Sequence, residues 1–300
     1  MKKLLFLLLL STPLAAYAQE TSSAPWRASG RRDRSNISVG AGYSDAEGLR
    51  HRSVGLSGRT SLGRLAGKMV TLETSFGHHA LGRDGWLPPE LYNGGLRFNA
   101  DDKKGGFSAG VRSNSDRLFN SMAETDVTLG ASRVISRDGP HQFSFGLMYS
   151  SRRSFARGIP FPYLTYRYTS DRLSFTFPFA ATWKATDTTE LSASYSPPKS
   201  FQAGITKTLS SVVRLKAEYA LGTLQYELAG RADKAYSVFI EQSNAGVWTY
   251  IKTSENCTLS FWTGYALSGK YYTGKTYDDH HDKRRIGTAP SASVKIERFF

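Results

Sequence analysis

The densest run of groups able to hold a metal or move a proton is Asp278-Asp279-His280-His281-Asp282. Imidazole with carboxylate suits a transition metal, and an Asp–His pair suits general-base work at a protein rim. Neighbours in an extended chain point to opposite faces, so the five converge only in a loop that does little to preorganise them. They read as a solvated polar loop, with no catalytic residue and no metal assigned. His78-His79 followed by Asp84 lies just past an alternating segment ending at Phe76, and reads as a solvated loop pair. Serine hydrolysis needs a base and an orienting group near the hydroxyl, and no Gly-x-Ser-x-Gly elbow occurs. Gly264-Tyr265-Ala266-Leu267-Ser268-Gly269-Lys270 imitates a phosphate loop, but Tyr271 stands where Ser or Thr is required. No cofactor is implied. Cys257 is the only cysteine, so an intramolecular disulfide is excluded.

The remaining charged groups fall on one side of alternating segments. Val213, Leu215, Ala217 and Tyr219 alternate with Arg214, Lys216 and Glu218; Val70, Leu72, Thr74 and Phe76 enclose Thr71, Glu73 and Ser75. Assigning faces by this period of two puts Glu73, Arg97, Arg112, Arg167, Arg214, Lys216 and Glu218 together on a polar side, with Lys295 and Glu297 as further candidates. Phe143, Phe145, Leu147 and Tyr149, then Leu191, Ala193 and Tyr195, then Leu259, Phe261, Thr263 and Tyr265 repeat the pattern. The apolar side often ends in an aromatic, as an interfacial girdle requires.

Turn residues punctuate these segments at 99–106, Arg137-Asp138-Gly139-Pro140, Ser196-Pro197-Pro198, 230–234 and Glu255-Asn256. Strands so spaced make a sandwich or a barrel. The opposite face of Ser, Gly, Arg, Lys and Glu reads as a polar lumen rather than a second packed core, which favours the barrel. At roughly ten residues per crossing the expectation is about 12 strands, within a range of 10–14. Pro178 implies a bulge or an early strand end.

The ends supply the compartment. Lys2 and Lys3, the run Leu4-Leu5-Phe6-Leu7-Leu8-Leu9-Leu10, and Ala16-Tyr17-Ala18 form an export signal over 1–18. A basic polar segment, 19–35, precedes a barrel over 36–300. No later stretch approaches the ~18–20 apolar residues of a membrane helix, and lipid accepts only helices or closed barrels. Net charge is +14, falling to +12 without Lys2 and Lys3. Nucleic acid is not expected outside the cytoplasm, and the phosphorylated lipopolysaccharide leaflet is the obvious anionic neighbour.

The export signal, the amphipathic segments, and the ending Val294-Lys295-Ile296-Glu297-Arg298-Phe299-Phe300 resemble bacterial outer-membrane β-barrel proteins, closest to their uncharacterised families. The resemblance implies an all-β, antiparallel up-and-down barrel in the outer membrane, taken as a monomer. It implies an assembly signal at Val294, Ile296 and Phe300, read by the barrel-assembly machinery. Arg298 departs from that pattern and puts the register of the last strand in doubt. Periplasmic termini make the connection over 269–290 extracellular and the Glu255-Asn256 turn periplasmic. Three functions are open: a structural barrel, a narrow anion-leaning pore, or a surface-binding protein. The alternative is an outer-leaflet lipid or peptide hydrolase working at the extracellular rim. A barrel of 12 strands fills readily with side chains, so the lumen is expected to be narrow or closed.

Overall fold

The computed structural model describes residues 35–82, 85–153, 157–196 and 199–300. The export signal, all but Ser35 of the basic segment, Asp84 and the Pro197-Pro198 turn lie outside them. Every regular element among the described residues is a strand. They run β1 (Asn36–Ala46), β2 (Leu49–Leu65), β3 (Lys68–Gly82), β4 (Glu90–Asp102), β5 (Gly105–Ser115), β6 (Thr125–Asp138), β7 (His141–Ser150), β8 (Phe161–Thr169) and β9 (Leu173–Phe177). They continue as β10 (Ala180–Thr186), β11 (Thr189–Ser196), β12 (Ser200–Thr208), β13 (Val213–Tyr226), β14 (Ser237–Ser254), β15 (Cys257–Gly274), β16 (His281–Ile286) and β17 (Ala289–Phe299).

Each strand pairs antiparallel with its sequence neighbour, and β17 pairs back with β1, which closes the sheet on itself. β16 and β17 both pair with β15, along its upper and lower parts, so together they make one staff of the wall. The seventeen segments therefore form 16 staves, which corrects the expectation of about 12. The error came from the ten-residue rule. Five strands, β8 to β12, are 5–9 residues long, and turns as short as Asp187-Thr188 leave no composition break between them. β9 ends at Phe177, directly before Pro178.

The alternation maps onto two faces. Ile37, Phe76, Leu96, Phe98, Phe107, Val111, Leu129, Phe143, Leu147, Leu164, Ile205, Val247 and Phe261 are exposed although apolar. Cross-strand register aligns them, as in Phe76 beside Leu56, Leu96 beside Val111, and Phe261 beside Val294. A continuous apolar belt around a closed ring is stable only in lipid. The fold is that of a transmembrane β-barrel. Tyr43, Tyr195, Tyr219 and Tyr265 are exposed aromatics on the same exterior face, at girdle positions.

Connections differ at the two ends. On the side of Asn36 and Phe299 they hold two to four residues; on the other they include 83–89, 116–124, 151–160, 227–236 and 275–280. Short turns mark the periplasmic side and long loops the extracellular side. The region 269–290 is far more ordered than a loop, since β15 runs to Gly274 and β16 begins at His281. β17 pairs with β1 and β15 without a register shift. Arg298 takes the exterior position opposite Ile37, and its guanidinium lies 5.4 Å from the centre of the Phe300 ring.

Candidate functional site: the closed outer mouth

A ring of sixteen strands is wide enough for an aqueous channel, so what crosses it decides what it can do. On the tall side the wall does not stay a wall. Residues 237–240 are buried four in succession, and Tyr271 and Tyr272 are both buried. A staff with one face on lipid cannot be buried on both faces. These segments have bent inward. The bend falls where the β14–β15 register shifts between Gln242 and Asn244, the kind of bulge that re-aims a strand, and where β16 breaks from β17. The result is a four-stranded flap made of 222–226, 237–242, 269–274 and β16.

One face of the flap continues the polar interior side of β13 as an apolar surface. Leu224, Tyr226, Val238, Ile240, Tyr271 and Ile286 pack with Ala46, Leu49 and Leu91 from the tips of β1, β2 and β4 and with Leu87 from the β3–β4 connection, joined by Trp86, whose ring is 5.3 Å from Tyr271. Gly48 permits the approach. Its φ of +85° suits glycine, and a Cβ there would meet the Arg285 carbonyl oxygen at 2.8 Å.

The free edge of the flap reaches the far wall. β13 and β5 stand eight staves apart in a ring of sixteen, diametrically opposite. Even so, the Glu227 backbone amide donates to the Asn114 backbone carbonyl at 2.8 Å, and Asn114 Nδ2 donates to the Gln225 backbone carbonyl at 3.2 Å. The Ala229 amide donates to Asp116 Oδ1 at 2.7 Å.

A charged latch lies beside this contact. Arg231 bridges Glu124 (3.4 Å) and Glu227 (3.0 Å), Lys234 reaches Glu124 (3.2 Å), and Arg157 reaches Glu227 (3.5 Å). Gln225 Nε2 and Ser237 Oγ donate to Glu227 at 2.7 and 2.8 Å, and Ser121 donates to Glu124. Burial alone would raise the Glu124 carboxyl. The Ser121 and Lys234 hydrogen bonds and the charges of Lys234 and Arg231 outweigh it and hold the group below its ordinary value. None of these residues stood out in the sequence except as turn composition over 230–234.

The remaining candidates separate. On the face opposite the belt, Arg59 pairs with Glu73 at 3.8 Å, Glu73 is in register with Arg97, and Arg97 donates to Ser108. Arg112 binds Asp126 at 2.9 Å, while Arg167 and Arg214 sit opposite Gln142 and Tyr250. Lys216 pairs with Glu218, which also takes the Gln202 amide at 2.6 Å and Trp248 Nε1 at 3.4 Å. Beside them Trp248, Tyr250 and Trp262 form a buried aromatic cluster, so this side is not uniformly polar as the alternation suggested.

The Asp278–Asp282 stretch does not converge. His281 Nε2 lies 2.8 Å from Asp279, whereas His280 turns edge-on to Tyr272 (4.3 Å) and Asp282 faces Thr273. Burial, then Lys270, Lys199 and Lys283, push the His280 imidazole below its ordinary value. Among the described residues no serine hydroxyl bonds to either ring, and no group of three or more His, Cys, Asp or Glu could hold a metal.

His78-His79 corrects the loop reading. β3 continues to Gly82, leaving His78 outside, stacked on Tyr92, and His79 buried inside. His79 hydrogen-bonds His51 at 3.1 Å and Asn93 at 2.8 Å. The signal that could have found this is the alternation itself, carried three residues past Phe76.

No family model matches the chain, and no curated protein does. Among solved structures it is similar to an outer membrane channel from Pseudomonas putida F1, with 11% identity, 93% of this chain and 100% of that chain covered, and a TM-score of 0.41. Omp33, an outer membrane protein of Acinetobacter baumannii, gives 9% identity, 89% and 99% coverage, and 0.36. OmpT, an outer membrane protein of Vibrio cholerae, gives 10%, 89% and 96%, and 0.33. Likeness at this level carries no argument here. The closed ring and its apolar exterior do, and they define an outer-membrane-type β-barrel.

Proposed function

We propose that this protein is an anion-leaning pore of the bacterial outer membrane, narrowed and closed at its extracellular mouth by the flap, which opens when the latch releases. The observation that carries the reading is the union of β13 with β5 across the full ring. A wide ring needs no such crossing for stability, because its staves already satisfy one another. The crossing is useful if the mouth must be shut. The bulge at Gln242–Asn244 supplies a bend, and charge-assisted hydrogen bonds supply a contact that can break without unfolding the wall.

The anion preference rests on the interior face. What supports it is an excess of cations opposite the exterior belt by cross-strand register, Arg59, Arg97, Arg112, Arg167, Lys184, Arg214, Lys216 and Lys295 against Glu73, Asp126, Glu190, Glu218 and Glu297. Rings of cations favour anions in pores. The proposed lumen-lining set is therefore Glu73, Arg97, Arg112, Arg167, Arg214, Lys216 and Glu218. An export signal at 1–18, monomeric assembly by the barrel machinery through Val294, Ile296 and Phe300, and contact with lipopolysaccharide complete the proposal. Nothing in the 278–282 geometry favours the hydrolase alternative.

Single-channel recording in planar bilayers tests the pore. The wild type should be closed for most of the record at neutral pH, and the Asn114→Cys, Gln225→Cys pair, oxidised, should abolish openings that reduction restores. Steady, large-conductance opening of the oxidised pair would reject a flap-closed mouth.

A further inference from the structure

Beneath the flap lies a hydrogen-bonded chain that acid would break. His51 on β2 and His79 on β3 are both buried, with stacked rings whose centres are 5.3 Å apart. His51 Nε2 is 3.1 Å from His79 Nδ1, and His79 Nε2 is 2.8 Å from the Asn93 side-chain oxygen. That oxygen only accepts, so His79 carries its proton on Nε2 and offers a lone pair on Nδ1. His51 must then donate from Nε2. The chain works in one direction only, and it needs His79 neutral.

The flap sits on this pair. Tyr226 of β13 lies edge-on to His79, 6.2 Å between centres at 78°, and belongs to the apolar cluster that seats the flap. Both histidines are on the extracellular side of the apolar belt, since the exterior positions flanking His51 are Arg50 and Arg52, and His78 at the exterior of β3 contacts Tyr92 and Glu90. From the packed elements, β1 offers Ser44 opposite His51, β4 offers Asn93, and β13 offers Tyr226. The titratable groups acting on the pair are its own members and His78.

We infer that the His51–His79 pair makes the flap a proton-released gate, seated at neutral pH and lifted when His79 is protonated. A proton on His79 Nδ1 puts N–H against N–H at the central contact and a charge under Tyr226. Lifting the flap lets water reach the charged ring and removes the conflict. The inference rests on the flap-closed pore proposed above and names its regulation. Burial holds His79 down at about 4 and His51 well below the ordinary histidine value. The released state therefore takes up protons that the seated state refuses over roughly pH 6.5 to 4.

Open probability measured in planar bilayers, with both chambers moved from pH 7.5 to pH 4.5, tests this. The wild type should open about 10- to 100-fold more often at pH 4.5, and the His51→Gln, His79→Gln variant should lose most of that response while staying closed at pH 7.5. If acid opens that variant as it opens the wild type, the pair is not the sensor. If the wild type ignores acid while Arg231→Met opens at pH 7.5, the histidine inference falls and the gated pore stands. If neither opens, both fall. Oxidised Asn114→Cys, Gln225→Cys protein serves as the second reading: it should stay shut at pH 4.5 until reduced, and opening without reduction overturns the proposal.

Discussion

Replacing Arg231 by Met removes the cation that ties the flap to the far wall. Its side chain is 9% exposed, and its partners Glu124 and Glu227 are 0% and 6% exposed. Deleting one member of a buried ion pair costs about 3–5 kcal/mol, because the partner is left charged and dry. Here the loss falls at the low end, since Lys234 and Ser121 still serve Glu124, and Arg157, Gln225 and Ser237 still serve Glu227. About 3 kcal/mol against the seated flap shifts its equilibrium about 100-fold, at 1.4 kcal/mol per decade. The wall contributes nothing to this difference, as no stave hydrogen bond involves Arg231. Single-channel open probability should therefore rise by about that factor, while heat-modifiable migration on denaturing gels stays that of an intact barrel. Adding Glu227→Gln removes the charge left stranded, so the double variant should open less than the sum of the two singles. An open probability unchanged within twofold, in a barrel of normal heat modifiability, would refute the claim that Arg231 holds the mouth shut.

Glu124 sets a second, lower acid limit. Its carboxyl is held below the ordinary value of 4.5, so its contribution is complete above that pH and is lost as pH falls through the depressed value; in the His51→Gln, His79→Gln variant, openings should be rare at pH 5 and should increase only as pH is taken below 4.5. In an Arg231→Met background, Arg97→Glu with Arg214→Glu should turn anion selectivity toward cations, read as a reversal potential of opposite sign in a salt gradient; an unchanged sign would remove these residues from the permeation path. Gly146 lies under the Tyr163 ring, where a Cβ would come within 2.2 Å, so Gly146→Val should lower the temperature of the gel-mobility shift unless the ring swings aside. Deleting Phe300, whose amide donates to the Ser35 carbonyl beside the β1–β17 seam, should reduce heat-modifiable protein and increase periplasmic proteolysis. High salt without detergent should leave the wild type in the membrane, given its exterior belt.

The wall was legible because its physics is local. Lipid outside and water inside impose a period of two on every crossing, and Phe143, Phe145 and Leu147, or Leu215, Ala217 and Tyr219, show it without reference to other strands. Residue faces followed from the same rule, so Glu73 and Arg97 could be put on one side before their strands were known to be neighbours. The strand count was not legible, because β9 at five residues is too short to display a period.

The mouth was hidden for a different reason. Glu124 and Arg231 are 107 residues apart, and Asn114 and Gln225 are 111 apart; each looks like ordinary loop or edge composition. His51 and His79, 28 residues apart, were invisible as a pair until β2 and β3 were set in register.

By itself the sequence determined that this chain meets lipid with one face of its strands and water with the other, since that alternation is written in short runs of residues. Only the tertiary structure decided that the ring has sixteen staves and that one side folds over to close it. Burial on both faces at 237–240 is not a property of those four residues. It depends on β1 to β4 packing beneath them and on β5 standing directly across the ring, an arrangement that exists only once the barrel has closed.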